Sequence, residues 1–223
     1  DGSGGERRRL GGAARRVTLH AGLAAHDLEH HVRREVHADR VAVEERDRDV
    51  HAVLEPLRVL ADLLALDGDL LARGLRHEDE IVYLERTSSG RALVRVVYPV
   101  GGRAPLHLTS LGKLFLAAES AQKVRDYAKR TGLPGKTPHS LTSLVTLEKE
   151  LDKVRRHGIA YDDEEAELGL KCVAAPIHDD EGNVVAALSV SAPADRHDPD
   201  WARLVKQTAD AVSKTLGYTG QKK

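Results

Sequence analysis

Leu106-His107-Leu108-Thr109-Ser110-Leu111-Gly112-Lys113 is the stretch on which the reading of this chain turns. Thr109 or Ser110 can cap a short helix that carries Leu111, Leu114, Phe115 and Ala118 at helical spacing. Upstream the pattern is that of strands. Glu80 to Glu85 follows the turn-like His77-Glu78-Asp79, with Asp69 to Arg76 as its hairpin partner, and Ala92 to Tyr98 is a β-branched third strand entered through Ser88-Ser89-Gly90. Downstream, a second helix is predicted over about Ala121 to Lys129. A third has Leu147, Leu151 and Val154 as its inner stripe and Gly158 as its C-terminal cap.

After Gly158 strands return: Ile159 to Tyr161, then Leu170 to Ile177 and Val184 to Ser191 joined by the turn Asp179 to Asn183. Asp198-Pro199-Asp200 opens a closing helix with a capping carboxylate and a proline in its first turn, and Trp201, Leu204, Val205, Val212 and Leu216 mark its apolar stripe. Strands, helices, strands and a last helix predict an α+β domain on an antiparallel sheet.

Composition divides the chain near residue 75. The first 75 residues use only eleven residue types, with no Ile, Phe, Tyr, Trp, Lys, Asn, Gln or Cys, and hold half of the twelve histidines. A core there would have to be built from Leu, Val and Ala alone. The restriction accommodates two readings, a poorly ordered Arg/His/Ala-rich arm or a translation in the wrong frame joined to an authentic domain. The absence of methionine predicts that position 1 is not a natural start. The predicted organisation is an atypical segment over 1–50, one α+β domain over 51–217 and a tail over 218–223.

The formal net charge is -1, so no global basic field points to nucleic acid. No apolar run has the length of a membrane span and no secretory signal opens the chain, which predicts a cytoplasmic protein with no membrane partner. A single cysteine, Cys172, excludes an internal disulfide framework. His26 and His30 stand four apart but lack a third ligand, so neither a metal nor another cofactor is expected.

Three blocks in order, Leu106 to Lys113, Asp162-Asp163-Glu164-Glu165 and Cys172 to Ile177, resemble the effector-binding domain of the isocitrate-lyase regulator (IclR) family of bacterial transcription factors. Gly102-Arg103 and the closing Ala186 to Pro193 extend the likeness, which runs from about residue 52 to 217. It implies a GAF/profilin-like sensor fold, a curved antiparallel sheet with flanking helices around a small-molecule pocket. It places that pocket on Ser110, Leu111, Asp162, Cys172, Ser189 and Ser191, with Leu93, Val96 and Leu170 as the apolar wall. The expected ligand is a small carboxylate-type effector.

Elementary chemistry gives these positions sense without the family. A capped helix start favours an anion, and Ser189 and Ser191, two apart on a strand, turn both hydroxyls to one face. Cys172 adds a small polarizable wall. Asp162, beside an anion, must be protonated, accept from a ligand hydroxyl or organise backbone amides; the last two are favoured. A lone Ser-x-Ser or a lone buried Cys is more often ordinary structure. His107 reads as a hydrogen-bonding residue rather than a ligand, Lys113 either as facing the pocket's anion or, more commonly for its type, as a helix-surface lysine, and the acidic run as solvated charge with one member turned inward.

The resemblance also implies operator DNA as a partner, read by a winged helix-turn-helix ahead of the sensor domain, and a homodimer or homotetramer. No helix-turn-helix pattern is recognisable in residues 1–40, although residues 52–66 resemble the family's helix leading into the sensor domain. The function expected is therefore a ligand-responsive transcriptional regulator. The alternative is a stand-alone or truncated metabolite sensor that does not bind DNA. Catalysis through Cys172 is not expected, since no Cys-His-acid motif accompanies it.

Overall fold

The computed structural model describes residues 70–88 and 99–220. The segment 1–50, the helix over 52–66, the His26/His30 pair, the strand over Ala92 to Tyr98 and the wall positions Leu93 and Val96 lie outside the described residues.

Strands β1 (Leu70–His77) and β2 (Glu80–Ser88) form the expected hairpin, with His77 opposite Glu80 across a two-residue loop whose Glu78 takes φ 55°. After β3 (Arg103–Pro105) and a 3₁₀ turn (Leu106–Leu108) come helices α1 (Ser110–Ala118), α2 (Ala121–Thr131) and α3 (Leu144–His157). Strands β4 (Ala160–Asp163), β5 (Leu170–His178) and β6 (Val184–Pro193) follow, then helix α4 (Trp201–Thr215). The six strands make one antiparallel sheet in the order β3-β2-β1-β6-β5-β4, curled into a half-barrel. The fold is the expected α+β class.

Helix ends are set by local chemistry. Thr109, Ser120 and Ser143 cap α1, α2 and α3 by accepting from the amides of Gly112, Lys123 and Thr146. Gly132 and Gly158 close α2 and α3 in the left-handed region, φ 71° and 67°, where a side chain would be strained. At α4 the Asp198 carboxylate accepts from the Asp200 amide across Pro199, so the capping turn stands just ahead of a helix that begins at Trp201.

The pleat sorts residues between two cores. On one face Val173, Ala175, Ile177, Leu188 and Val190 pack against Trp201, Val205, Ala209 and Val212 of α4. The expected stripe of α4 is corrected in one place: Leu204 is exposed, and Ala209 takes the buried position. On the other face Ala72, Ala104, Ala160, Ala174 and Ala187 meet α1, α2 and α3. Small residues there let helix α1 lie close to the sheet. Gly74 at the β1 bulge accommodates Leu111, whose Cδ1 would be 3.2 Å from an added Cβ. Gly112 lies against Leu106, and a Cβ on it would be 2.3 Å from the Leu106 carbonyl oxygen.

Candidate functional site

The register of β4, β5 and β6 assembles part of the expected set. Asp162 pairs with Cys172 and Cys172 with Ser191, so the three form one row across neighbouring strands. Ser189 pairs with Ala174 one row away and shares their face by alternation. That face is the one α1 covers, since Ala160, Ala174 and Ala187 share a core with Leu111 and Leu114. Asp162, Cys172, Ser189, Ser191, Ser110 and Leu111 are all buried. Ser110 is the first residue of α1, and Leu111 lies over Gly74. Leu170, half-buried, begins β5 on the same face as Cys172, opposite Pro193.

Hydrogen bonds give these groups distinct duties. The Ser189 hydroxyl donates to the Ala72 carbonyl at 3.5 Å, a long contact that a better acceptor would displace. Asp162 Oδ1 accepts from the amides of Glu165 and Ala166 at 2.9 and 3.2 Å, and its carboxylate also bonds the Cys172 side chain. Asp162 thus organises the backbone of the turn after β4. Burial pushes its carboxyl up to about 6, partly offset by the positive charge of Lys113 and by these bonds.

Lys113 corrects the sequence reading. It is no surface lysine: its ammonium is fully buried and donates to Glu165 Oε1 at 2.5 Å and to the Tyr161 carbonyl at 2.7 Å. Glu165 is buried too, so two members of the acidic run turn inward, not one. Burial raises the Glu165 carboxyl to about 7 against the pull of Lys113, and the charge of Asp162 adds to the rise. Thr137 and Ser140 fasten the same turn by donating to the carbonyls of Glu164 and Glu165, each at 2.7 Å. One signal in the sequence could have found the pair: Lys113 is the lone charge within a helix that is otherwise apolar on every side up to Ala118, and such a helix is buried.

His107 behaves as expected of a structural residue. Its Nε2 lies 3.1 Å from the Pro134 carbonyl, which can only accept, so Nε2 carries the proton. Nδ1 then accepts from the Tyr127 hydroxyl at 2.7 Å, and that hydroxyl accepts from the His107 amide. Burial holds the imidazole below its ordinary value, hence neutral, and raises the Tyr127 phenol to about 12.

Two cavities border these elements. One, of about 150 Å³ at the β4 edge, is lined by Tyr161, Asp162, Asp163, Lys171, Cys172 and His197, and so reaches Asp162 and Cys172 but not Ser110, Leu111, Leu170, Ser189 or Ser191. The other, about 310 Å³, is lined by Glu78 to Glu80, Pro105, His107, Tyr127, Thr131 and Pro134 and contains none of the expected site residues. Among the described residues no group of three or more His, Cys, Asp or Glu is arranged to hold a metal.

A curled antiparallel sheet with a buried polar row beneath a helix start defines an α+β domain of the half-barrel type. Residues 46–214 match the family described as bacterial transcriptional regulator IclR C-terminal, and the chain belongs to that family. It is 35% identical over 179 residues to the HTH-type transcriptional repressor AllR of Klebsiella pneumoniae, covering 78% of this chain and 65% of that protein. The chain therefore spans less than two thirds of the length of that relative. Among solved structures, the C-terminal domain of the Escherichia coli transcriptional regulator KdgR is similar with a TM-score of 0.63 at 31% identity, over 71% of this chain and 94% of that one. The inducer-binding domain of an Acinetobacter PobR double mutant in complex with 3-hydroxybenzoic acid is similar with a TM-score of 0.61 at 27% identity, over 70% and 91%. No helix among the described residues is long and apolar enough to cross a membrane.

Proposed function

We propose that this domain is the effector-binding part of a cytoplasmic bacterial transcriptional regulator, and that its effector is a small carboxylate bound between the Asp162-Cys172-Ser191 row and the start of α1. The observation that carries the reading is the register: three polar side chains of the resemblance, separated by up to 29 positions in the chain, fall on one buried row, with Ser189 beside them. Ser189 and Ser191 supply hydroxyl donors, and the first amides of α1 supply a partial positive charge, since Thr109 occupies only that of Gly112. Leu170, half-buried at the start of β5, offers an apolar wall on the same face; Leu93 and Val96 belong to that wall only as the resemblance implies. Asp162 holds its turn through two amides and receives a ligand hydroxyl.

Ligand occupancy then shifts the population of states that bind operator DNA, in a homodimer or homotetramer. A thermal-shift screen of C2 to C8 carboxylates, with 3-hydroxybenzoate included because a similar domain holds it, tests the site. A ligand that binds only the folded state raises the melting temperature. Ser189→Ala and Ser191→Ala diminish that rise; an undiminished rise in both variants refutes the pocket. A mobility-shift assay on the gene's upstream region with a salt titration tests the DNA partner. A chain that binds a carboxylate but shifts no DNA is the stand-alone sensor, a reading that the restricted composition of residues 1–75 favours.

A further inference from the structure

The proposed pocket shares Asp162 with a charged cluster that carboxylate recognition leaves unused. Lys113 comes from α1, Asp162 from β4 and Glu165 from the turn behind it, and each is more than nine-tenths buried. One ammonium thus serves two carboxylates. It is already committed, donating to Glu165 Oε1 and to the Tyr161 carbonyl, and it cannot turn to an incoming anion without abandoning a buried carboxylate. Glu165 Oε2 is buried without a partner among the described residues. With both carboxyls ionised the cluster carries one net negative charge out of contact with water, an arrangement that burial penalises and one proton relieves.

The surrounding charges do not supply that relief. From α3 comes Glu150, itself negative and paired with Lys153 at 2.7 Å. From β5, the Cys172 side chain bonds Asp162 without adding a cation, and Lys171 is engaged by Asp163 at 2.7 Å. Within the turn, Glu164 accepts from the Gly169 amide. His107, near Lys113, and His197, near Asp163 and Lys171, are both kept toward the neutral form by burial.

Resting on that reading of the pocket, we propose that Asp162, Glu165 and Lys113 form one proton-holding unit, and that a carboxylate effector enters this site together with one proton. The charges balance. An empty cluster at -1 joined by an effector at -1 would reach -2; a proton drawn from solvent onto the carboxyl pair restores -1. Burial already raises both carboxyls, and a neighbouring negative charge raises the pair's affinity for the proton further. Effector affinity then falls by up to about tenfold per pH unit as the solution becomes more alkaline than the occupied cluster's titration.

Two measurements on the full chain test this. Carbon-13 titration of the side-chain carboxyls without ligand is expected to show Asp162 and Glu165 titrating together above the ordinary carboxylate range, and Asp162 moving down in Glu165→Gln. Titration of both in the ordinary range overturns the proposal. Calorimetry with acetate, hexanoate and 3-hydroxybenzoate at pH 7.5, in phosphate and in Tris, counts protons from the difference in buffer heat. About one proton is expected per bound carboxylate in the wild type, and close to none in Glu165→Gln, whose affinity becomes flat between pH 7 and 9. Binding without proton uptake overturns this inference and leaves the pocket standing, whereas no binding by any of the three acids removes the pocket as well. The wild-type measurements decide the matter even where Glu165→Gln fails to fold.

Discussion

Gly112→Ala asks whether α1 is held against the turn before it as closely as the site requires. In a solvent-facing helix this change stabilises by about 1 kcal/mol, because glycine is the poorer helix former. Here the added Cβ would stand 2.3 Å from the Leu106 carbonyl oxygen and 2.4 Å from its Cα. Carbon atoms rest about 3.5–4.0 Å apart, so α1 or the turn must retreat by roughly 1 Å. The obstacle is backbone, and Leu106 and Leu108 are fully buried, so no flexible side chain can swing away. Overpacking of this kind costs about 1–3 kcal/mol, and contact with backbone sets the cost at or above the upper figure; the net loss is about 2 kcal/mol. For a domain of this size that lowers the melting temperature by roughly 4–8 °C. Circular dichroism during urea and thermal unfolding measures it, with Gly132→Ala as the companion: φ is 71° there and the space is open, so its cost comes from backbone conformation alone. A Gly112→Ala protein as stable as wild type, or more so, refutes the close approach. With it would go the argument that Thr109, Ser110 and Leu111 are fixed over the sheet by packing.

Three further outcomes follow from the buried polar groups. Lys113→Met removes the one cation from two buried carboxylates and should cost about 3–5 kcal/mol in urea unfolding, while the double variant Lys113→Met/Glu165→Leu recovers much of it; a single variant of unchanged stability contradicts the ion pair. Tyr127→Phe leaves the His107 amide and Nδ1 without their partner and should cost about 1–3 kcal/mol, and an unchanged midpoint would show that water replaces the hydroxyl at no penalty. Glu165 has its carboxyl raised by folding, so its contribution is present at low pH and is lost as pH climbs from about 4.5 to about 7. Wild-type stability relative to Glu165→Gln should therefore decline across that window, and a difference that stays constant argues against the raised carboxyl. His107 and His197, whose depressed values act in the opposite sense, cancel in the comparison.

Elements governed by short-range rules were legible in the sequence. The β1-β2 and β5-β6 hairpins follow from alternation and turn residues, and α3 from the Leu147, Leu151, Val154 stripe closed by Gly158. Leu204 continues the apolar spacing of Trp201 and Val205, which predicts an inward side chain. The position facing the sheet went to Ala209 instead, a residue whose small size hides it from a count of large apolar side chains. In linear order the acidic run reads as solvated charge with one member turned inward, and only the resemblance singles out Asp162. Asp162 and Asp163 are strand residues, one turned inward and one outward, because the pleat of β4 alternates whatever the side-chain chemistry.

The site divides along the same line. Ser189 and Ser191 could be placed on a common face because a strand has period two; that Cys172 shares this face, and that Asp162, Cys172 and Ser191 share a row, required the register, which no local pattern contains. Lys113 and Glu165 lie 52 positions apart, beyond any helical or strand spacing. Yet one constraint was available. A helix whose residues Ser110 to Leu116 are all buried has no solvent face on which to set a lysine. A buried ammonium must bring its own counter-charge, and the acidic run after Ala160 is the dense source of carboxylates between α3 and β5. Burial of α1 therefore entails an inward carboxylate in that run. The second inward carboxylate, Asp162, leaves the cluster one cation short, and that shortage is what ties the pocket to the proton.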